Sequence, residues 1–173
     1  MNARKAKAPR SLEEFMAKAY EMEIEAAERY ADFADAMQTH NNTEVANLFR
    51  KMSEIEGKHA TQIMAEMGWK VPPQPGAATW EGFEGPETVP MDEVHYLMQP
   101  YHALQLALAS EERAERFFAR IAEAATVESV RKAALELQGE EREHVELIRD
   151  WLAKVPKPDR NWADDPDPPR YTD

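Results

Sequence analysis

The segment EIEAAERYADFA at residues 23–34 is repeated in degenerate form as EERAERFFARIA at residues 111–122. Both segments begin with glutamate and have alanine three residues later, an aromatic residue seven later, and alanine eight and eleven later. Positions three, four or seven residues apart lie on one face of an α-helix, so both segments are predicted to be helical. The repeat indicates that the chain is built from two related halves.

Each half also contains a glutamate that is followed three residues later by a histidine. These motifs are EGKH at residues 56–59 and EREH at residues 141–144. The separation between the repeated glutamate and this second motif is similar in the two halves, 33 residues in the first and 30 in the second. On a helix, a three-residue spacing places both side chains on one face, within reach of a single ion. Carboxylate oxygen and imidazole nitrogen together suit iron, manganese or zinc.

Four segments have apolar residues at three- and four-residue spacing and are predicted to form the helices of one bundle. The first starts at Ser11, which is expected to form a capping box with Glu14, and the second ends before Gly68. The third ends before Thr126, which is predicted to cap the fourth. The bundle is expected to span residues 11–154.

The connector between the second and third predicted helices, at about residues 69–100, has a different composition. It contains six prolines and three glycines, which rule out a continuous helix. Short loops make the helices of each pair antiparallel neighbours, and a connector of this length can cross the bundle from end to end. We therefore predict an all-α antiparallel four-helix bundle with a long crossover between helices 2 and 3. Two separate hairpins are the alternative, but neither would bury both faces of its helices.

The two ends of the chain are expected to lie outside this bundle. Residues 1–10 are basic and are predicted to form a flexible arm. Residues 155–173 contain five prolines and are predicted to form an extended tail. Trp162 and Tyr171 are candidates to pin that tail to the bundle or to another subunit.

Composition excludes several classes of function. The 173-residue chain has a net charge of −12, which opposes nucleic-acid binding, and it has no cysteine for disulfides, thiol catalysis or iron–sulfur clusters. No apolar run approaches the ~18 residues of a membrane span, so no membrane partner is expected. The basic N-terminus lacks the apolar stretch of a secretory signal, which favours the cytoplasm.

A bundle made from the two halves would bring four glutamates and two histidines to its middle. Four carboxylates balance the charge of two divalent ions, whereas unpaired buried acids would be prohibitively costly. Such residues are therefore expected to bind metal, to take up protons or to face solvent.

The motifs resemble those of the ferritin-like superfamily and, within it, of the rubrerythrin-like di-iron proteins. The matching patterns are E-x-x-A-x-x-x-Y, E-x-x-H, E-x-x-A-x-x-x-F and E-x-x-H, in that order along the four helices. The resemblance covers about residues 12–153 and implies a ferritin-like bundle that binds two iron ions, with manganese or zinc as other possible metals. The implied ligands are two glutamates from the single-glutamate helices, two bridging glutamates and two terminal histidines: Glu23 and Glu111, Glu56 and Glu141, and His59 and His144.

The resemblance also implies an activity. It indicates an oxidoreductase that reacts with hydrogen peroxide or O2, as a peroxidase or ferroxidase in oxidative-stress defence or iron homeostasis. Rubrerythrins usually carry a rubredoxin-type domain with cysteine ligands, which this sequence lacks, so an external electron donor is expected. Non-catalytic iron binding or delivery, and a structural bundle with a vestigial site, are alternatives. Bundles of this kind commonly associate, so a homodimer or higher homo-oligomer is expected.

Three further residues are left open by the sequence. Tyr30 is either a hydrogen-bond donor or redox residue beside the metals or a packed core tyrosine. Rubrerythrins tend to have an additional glutamate ligand in the third helix, at the position of Ala114. Glu112 or Glu115 could replace that ligand only with a shift in helical register.

Overall fold

The computed structural model describes residues 8–74 and 94–166 and contains four helices and no strand within these ranges. The helices are α1 (Leu12–Thr39), α2 (Thr43–Met67), α3 (Pro100–Ala124) and α4 (Glu128–Lys154). Most of the predicted basic arm, most of the connector, and Tyr171 lie outside the described residues. None of the described helices is both long and apolar enough to cross a membrane.

Local hydrogen bonds fix the ends of α1 and α2. The Ser11 side chain accepts a hydrogen bond from the Glu14 backbone N–H (3.1 Å), and Glu14 Oε2 accepts one from the Arg10 N–H (3.0 Å). This confirms the predicted cap, with the glutamate reaching one residue further back than in a standard capping box. Gly68 ends α2 with a φ of 67°, a left-handed conformation that glycine adopts without strain.

The second pair of helices begins differently. α3 starts with Pro100, whose fixed φ suits the first helical position. The prediction that Thr126 caps α4 is wrong, because the residue before the helix is Val127, which provides no side-chain cap. Instead, the Arg131 guanidinium donates a hydrogen bond from Nη2 to the Ala125 carbonyl (2.9 Å) and so ties the first turn of α4 to the end of α3.

The four helices pack as two hairpins, with α1 along α2 and α3 along α4. The hairpins face each other through contacts of α2 with α3 and of α1 with α4. This arrangement confirms the predicted all-α, ferritin-like four-helix bundle. The apolar side chains of all four helices turn inward, which removes them from water and stabilises the bundle.

The core consists of two apolar clusters, one toward each end of the bundle. The first contains Tyr30, Phe33, Phe49 and Leu104, and the aromatic rings of Phe33 and Phe49 lie 5.2 Å apart. The second cluster is built around a different set of aromatic and branched side chains, namely Phe15, Ile63, Phe117, Phe118 and Ile121. Along every helix, the residues of one cluster are separated from those of the other by a buried glutamate.

The C-terminal tail packs against one end of the bundle. The Trp162 ring lies 3.7 Å from the His102 ring and 5.4 Å from the His95 ring, measured between centroids. Tyr96 donates a hydrogen bond from its hydroxyl to the Asp165 carboxylate. Trp162 therefore pins the tail to the bundle, one of the two possibilities that the sequence left open.

Asn42 connects the α1–α2 turn to the segment before α3. Its Oδ1 accepts a hydrogen bond from the Val45 N–H (3.4 Å), while its Nδ2 donates to the Met98 carbonyl (2.6 Å). We expect Asn42→Ala to lower the free energy of unfolding by about 1–2 kcal/mol, since it removes a helix cap and strands a part-buried carbonyl. Asn47→Ala, on the exposed face of α2, is the control and should change stability little. Equal denaturant midpoints for the two variants would contradict this account.

Candidate metal centre

One glutamate from each helix is buried in the layer between the two apolar clusters. The exposed fraction is 3% for Glu23, 2% for Glu56, 3% for Glu111 and 2% for Glu141. Each side chain occupies the inward face of its helix, at the level where one cluster gives way to the other. The helical register that buries the apolar residues therefore buries these carboxylates as well.

Two histidines complete the layer, one from α2 and one from α4. The His59 and His144 rings stack with centroids 4.5 Å apart and planes inclined by 20°. Their side chains are 15% and 14% exposed. His59 Nδ1 lies 3.8 Å from Glu23 Oε2, and His144 Nδ1 lies 3.5 Å from Glu111 Oε2. The two Glu-x-x-His motifs are thus brought side by side.

Three groups of donor atoms in the described ranges are close enough to hold a cation, with all atoms of a group within 4.8 Å of one another. Bonds of about 2.0–2.2 Å from a metal to oxygen and nitrogen place opposite ligands up to about 4.4 Å apart, which matches this spacing. The groups draw only on the six residues that the sequence singled out, and they are Glu23–Glu56–His59, Glu56–Glu111–His144 and His59–Glu141–His144.

Several buried polar atoms in this layer lack hydrogen-bond partners, and in this respect the layer fits a metal. Glu56 Oε1, Glu141 Oε2 and the Nδ1 atoms of His59 and His144 are buried and have no hydrogen-bond partner among the described residues. Buried polar atoms without partners are costly, and carboxylate oxygens and imidazole nitrogens are donors for iron, manganese and zinc. A cation in the layer would satisfy these atoms.

In the metal-free chain, the pKa shifts of the same residues also indicate that the layer requires protons or cations. Burial and the neighbouring carboxyl groups raise the pKa of Glu23 and Glu56 well above the ordinary value. The same causes raise the pKa of Glu111 to about 7. Burial alone would lower the pKa of His144, but the Glu111 and Glu141 carboxylates together outweigh it and raise that pKa to about 11. Because these carboxylates are buried, solvent does not compensate their negative charge, and protons or metal ions must balance it.

Tyr30 belongs to the apolar packing and also lies in the field of the carboxylates. Its ring stacks on Phe49 with centroids 6.1 Å apart, and its hydroxyl is buried without a hydrogen-bond partner in the described part of the chain. Burial and the charges of Glu111 and Glu56 raise the pKa of the phenol well above its ordinary value. The hydroxyl therefore keeps its proton at neutral pH.

The glutamates that flank Glu111 point away from the centre. Glu112 accepts a hydrogen bond from Arg149 (3.0 Å) and Glu115 accepts one from Arg142 (3.0 Å), both on the surface between α3 and α4. Neither belongs to any of the three donor groups. Ala114 lies one turn from Glu111 and packs against the second apolar cluster. Within the described residues, the layer has no seventh carboxylate or imidazole in donor range.

The fold and this buried layer define a ferritin-like four-helix bundle with a candidate dinuclear metal centre. The family model for rubrerythrin matches residues 14–84 and 102–166, and the chain belongs to the rubrerythrin family. Among solved structures, it is similar to an uncharacterized conserved protein from Magnetospirillum magnetotacticum MS-1, with 33% sequence identity and a TM-score of 0.64. That match covers 86% of this chain and 98% of the other. The comparison with curated proteins found no significant match.

The raised carboxyl pKa values predict how the stability of the metal-free protein depends on pH. Folded Glu111 keeps its proton up to about pH 7, whereas the unfolded chain releases it near 4.5. The folded state then binds more protons, so the free energy of unfolding falls as pH rises through this window, by up to about 1.4 kcal/mol per pH unit for each such group. The raised pKa of His144 acts in the same direction at higher pH.

We therefore expect the melting temperature of protein in excess chelator to fall by several degrees between pH 5 and pH 8. Circular dichroism melts at constant ionic strength measure this trend. In Glu111→Gln, whose side chain does not titrate, the decline should be shallower. A metal-free melting temperature that rises over this range would show that the buried carboxyl groups are not protonated in the folded state.

Proposed function

We propose that the buried layer holds two iron ions and that the protein is an oxidoreductase acting on hydrogen peroxide or O2. The observation that carries this proposal is the set of four buried carboxylates and two imidazoles, with one or two ligands from every helix. Four carboxylates balance the charge of two divalent cations, so two ions neutralise the layer. Manganese and zinc fit the same donor types, and family membership favours iron.

The grouping of donor atoms supports a division of roles among the ligands. Glu56 lies within range of Glu23 and His59 on one side, and of Glu111 and His144 on the other. A carboxylate with two oxygens in this position is suited to bridge two ions. We assign Glu56 as a bridging ligand, and Glu141 as the second on the basis of the repeat between the two halves.

Each of the remaining ligands is assigned to one of the two ion sites according to the hairpin that provides it. Glu23 and His59 would complete one ion site, and Glu111 and His144 the other, because each pair lies within 3.8 Å through its nearest atoms. Each ion would then receive ligands from both helices of one hairpin. Metal binding would therefore also hold the two helices of each hairpin in register.

Bound ferrous ions would supply electrons to the oxidant. The protein would limit the access of water and hold a proton near the ions. The two apolar clusters cover the layer from both ends and restrict the access of water. The Tyr30 hydroxyl retains its proton in the field of the Glu111 and Glu56 carboxylates, and we propose that it acts as a proton donor at the centre. Because the chain has no cysteine, we propose that an external donor returns the electrons.

Metal content tests the first part of this proposal. Protein reconstituted anaerobically with Fe(II) is expected to contain two irons per chain by elemental analysis. Glu56→Ala combined with Glu141→Ala should lose most of that iron, because it removes both proposed bridges. Glu112→Ala combined with Glu115→Ala is the matched control, since it removes two carboxylates from the same bundle that bind arginines instead.

Either of two results would reject the metal assignment. One is absence of specific iron binding in the wild-type protein, and the other is equal iron loss in the two double variants. Steady peroxide consumption with a supplied reductant would identify a peroxidase, whereas stoichiometric Fe(II) oxidation with O2 and mineral formation would identify a ferroxidase. Bound iron that passes to an acceptor without turnover would identify a carrier.

The Tyr30→Phe variant tests whether the Tyr30 hydroxyl acts at the metal centre or the residue only packs in the core. The ring would remain in its stack on Phe49, while the unpartnered hydroxyl would be removed. We expect unchanged iron content and thermal stability, and a rate of peroxide consumption lower by roughly 10²-fold, the lower end of what a positioned proton donor contributes. An unchanged rate would leave Tyr30 as a core residue only.

A further inference from the structure

The end of the bundle on which the C-terminal tail packs contains a group of ring contacts and hydrogen bonds that is separate from the metal layer. We call this group the tail clasp, and its members are His95, Tyr96, His102, Trp162 and Asp165. All five side chains are partly buried. His102 precedes Glu111 by nine residues on α3, which is about 14 Å along the helix axis. The tail clasp is therefore well removed from the carboxylates.

His102 connects the start of α3 to the tail. Its ring lies 3.7 Å from the Trp162 ring, measured between centroids, and the two planes are inclined by 30°. Its Nδ1 accepts a hydrogen bond from the Gln99 backbone N–H (3.0 Å). His102 is the third residue of α3, and an acceptor at this position that binds the N–H of the cap residue is one half of a capping box. One imidazole therefore both caps a helix and packs on the tail.

This hydrogen bond requires a neutral imidazole. A ring nitrogen accepts a hydrogen bond only when it has no proton, and both nitrogens are donors in the protonated ring. A proton on Nδ1 of His102 would face the Gln99 N–H. The positive charge would also lie at the N-terminus of α3, where the helix dipole opposes it. Protonation therefore acts against the docked arrangement in two ways.

His95 shows the same requirement. Its Nδ1 accepts a hydrogen bond from the Leu97 backbone N–H (3.1 Å), and its ring lies 5.4 Å from the Trp162 ring. Protons on both histidines would place two like charges around one indole, and like charges disfavour each other. Burial and the neighbouring His95 lower the pKa of His102 below its ordinary value of 6.5. The docked tail therefore favours the neutral ring.

The other titratable groups at this end do not provide an opposite charge for either imidazole. His40, in the turn between α1 and α2, lies 5.2 Å from the Tyr96 ring. The Tyr101 ring lies 5.9 Å from the His102 ring. The Asp165 carboxylate accepts the hydrogen bond of the Tyr96 hydroxyl. Within the described part of the chain, neither histidine of the tail clasp forms an ion pair.

A cation–π contact with Trp162 is the interaction that would favour a protonated His102 in the docked state. It requires the ring to stay stacked on the indole. In that position, Nδ1–H would face the Gln99 N–H, or a flipped ring would turn a carbon toward it. The hydrogen bond at the start of α3 is lost in both cases, so the cation–π contact offsets only part of the cost.

We propose that His102, with His95 beside it, is a pH-sensitive device that holds the C-terminal tail on the bundle when it is neutral and releases the tail when it is protonated. The released state takes up a proton more readily than the docked state does. Docking is therefore strongest above the ordinary pKa of 6.5 and weakens as the pH falls below it. At pH 5.5 the ratio of docked to released tail should be lower by up to about tenfold from His102 alone.

Release would change the surface of the bundle as well as the position of the tail. Trp162 packs against the first apolar cluster, which closes the metal layer on one side. Moving the indole away would uncover this end of the cluster. Because the four helices make their contacts without the tail, we expect them to stay folded when it is released.

A spin label beside Trp162 tests the proposal, because the native chain has no cysteine. Ala163 is exposed, so Ala163→Cys provides a single site for a nitroxide. Its electron paramagnetic resonance spectrum should show an immobilised label at pH 7.5 and a growing mobile fraction as the pH falls to 5.5. Far-UV circular dichroism should stay constant over the same range. The result should be equal in metal-free protein and in protein with zinc, which is diamagnetic.

Two substitutions of His102 in the labelled chain remove its titration in different ways. His102→Phe keeps a ring against Trp162, whereas His102→Gln keeps an acceptor for the Gln99 N–H. The label should stay immobilised at pH 5.5 in at least one of them. His40→Gln is the matched control, since it removes a histidine at the same end of the bundle that contacts Tyr96 instead, and it should retain the wild-type transition.

Several outcomes would overturn the proposal. One is a label in the wild-type background that is equally mobile at pH 7.5 and pH 5.5. Another is a label that is mobile at pH 5.5 in both His102 variants, and a third is loss of the transition in His40→Gln. A loss of helical signal in parallel with the gain in mobility would count equally against it, since the tail would then only follow the unfolding of the bundle.

Discussion

The structure depends on the burial of four carboxyl groups in one layer of an otherwise apolar core. Each is at most 3% exposed, and apolar clusters close the layer toward both ends of the bundle. Carboxylates so enclosed repel one another and cannot be stabilised by water, so they must either bind protons or share cations. The charge state of this layer is therefore tied to the stability of the whole fold, and a metal would replace protons at the positions where the bundle most needs positive charge.

Such a layer requires precise axial alignment, and the ends of the helices provide part of it. Ser11 and Asn42 cap α1 and α2 through their side chains, and Gly68 ends α2 in a left-handed conformation. Aromatic packing provides the rest, because the rings in each cluster are large and fit in few ways. Rigid neighbours of this kind hold ligating side chains within the narrow tolerances that a metal centre demands.

Neighbouring glutamates in α3 show how the surroundings of a side chain decide its role. Glu111 faces the core, where burial raises its pKa to about 7. Glu112 and Glu115 lie on the surface, where arginines of α4 neutralise them at 3.0 Å. Glu112 is turned about 100° from Glu111 around α3, which is sufficient to separate an interior donor from a surface ion pair.

The sequence alone determined the number and approximate limits of the helices, the two-fold repeat and the six residues of the candidate centre. It could do so because the spacing of apolar residues fixes which face of each helix is buried, and these six residues lie on that face. The tertiary structure decided the rest: that Glu56 reaches donors from both hairpins, that Glu112 and Glu115 bind arginines, that Val127 precedes α4, and that Trp162 packs on the bundle. Sequence periodicity constrains the rotation of a helix about its own axis. The offset and separation between helices depend on contacts among residues far apart in the chain, which no local pattern encodes.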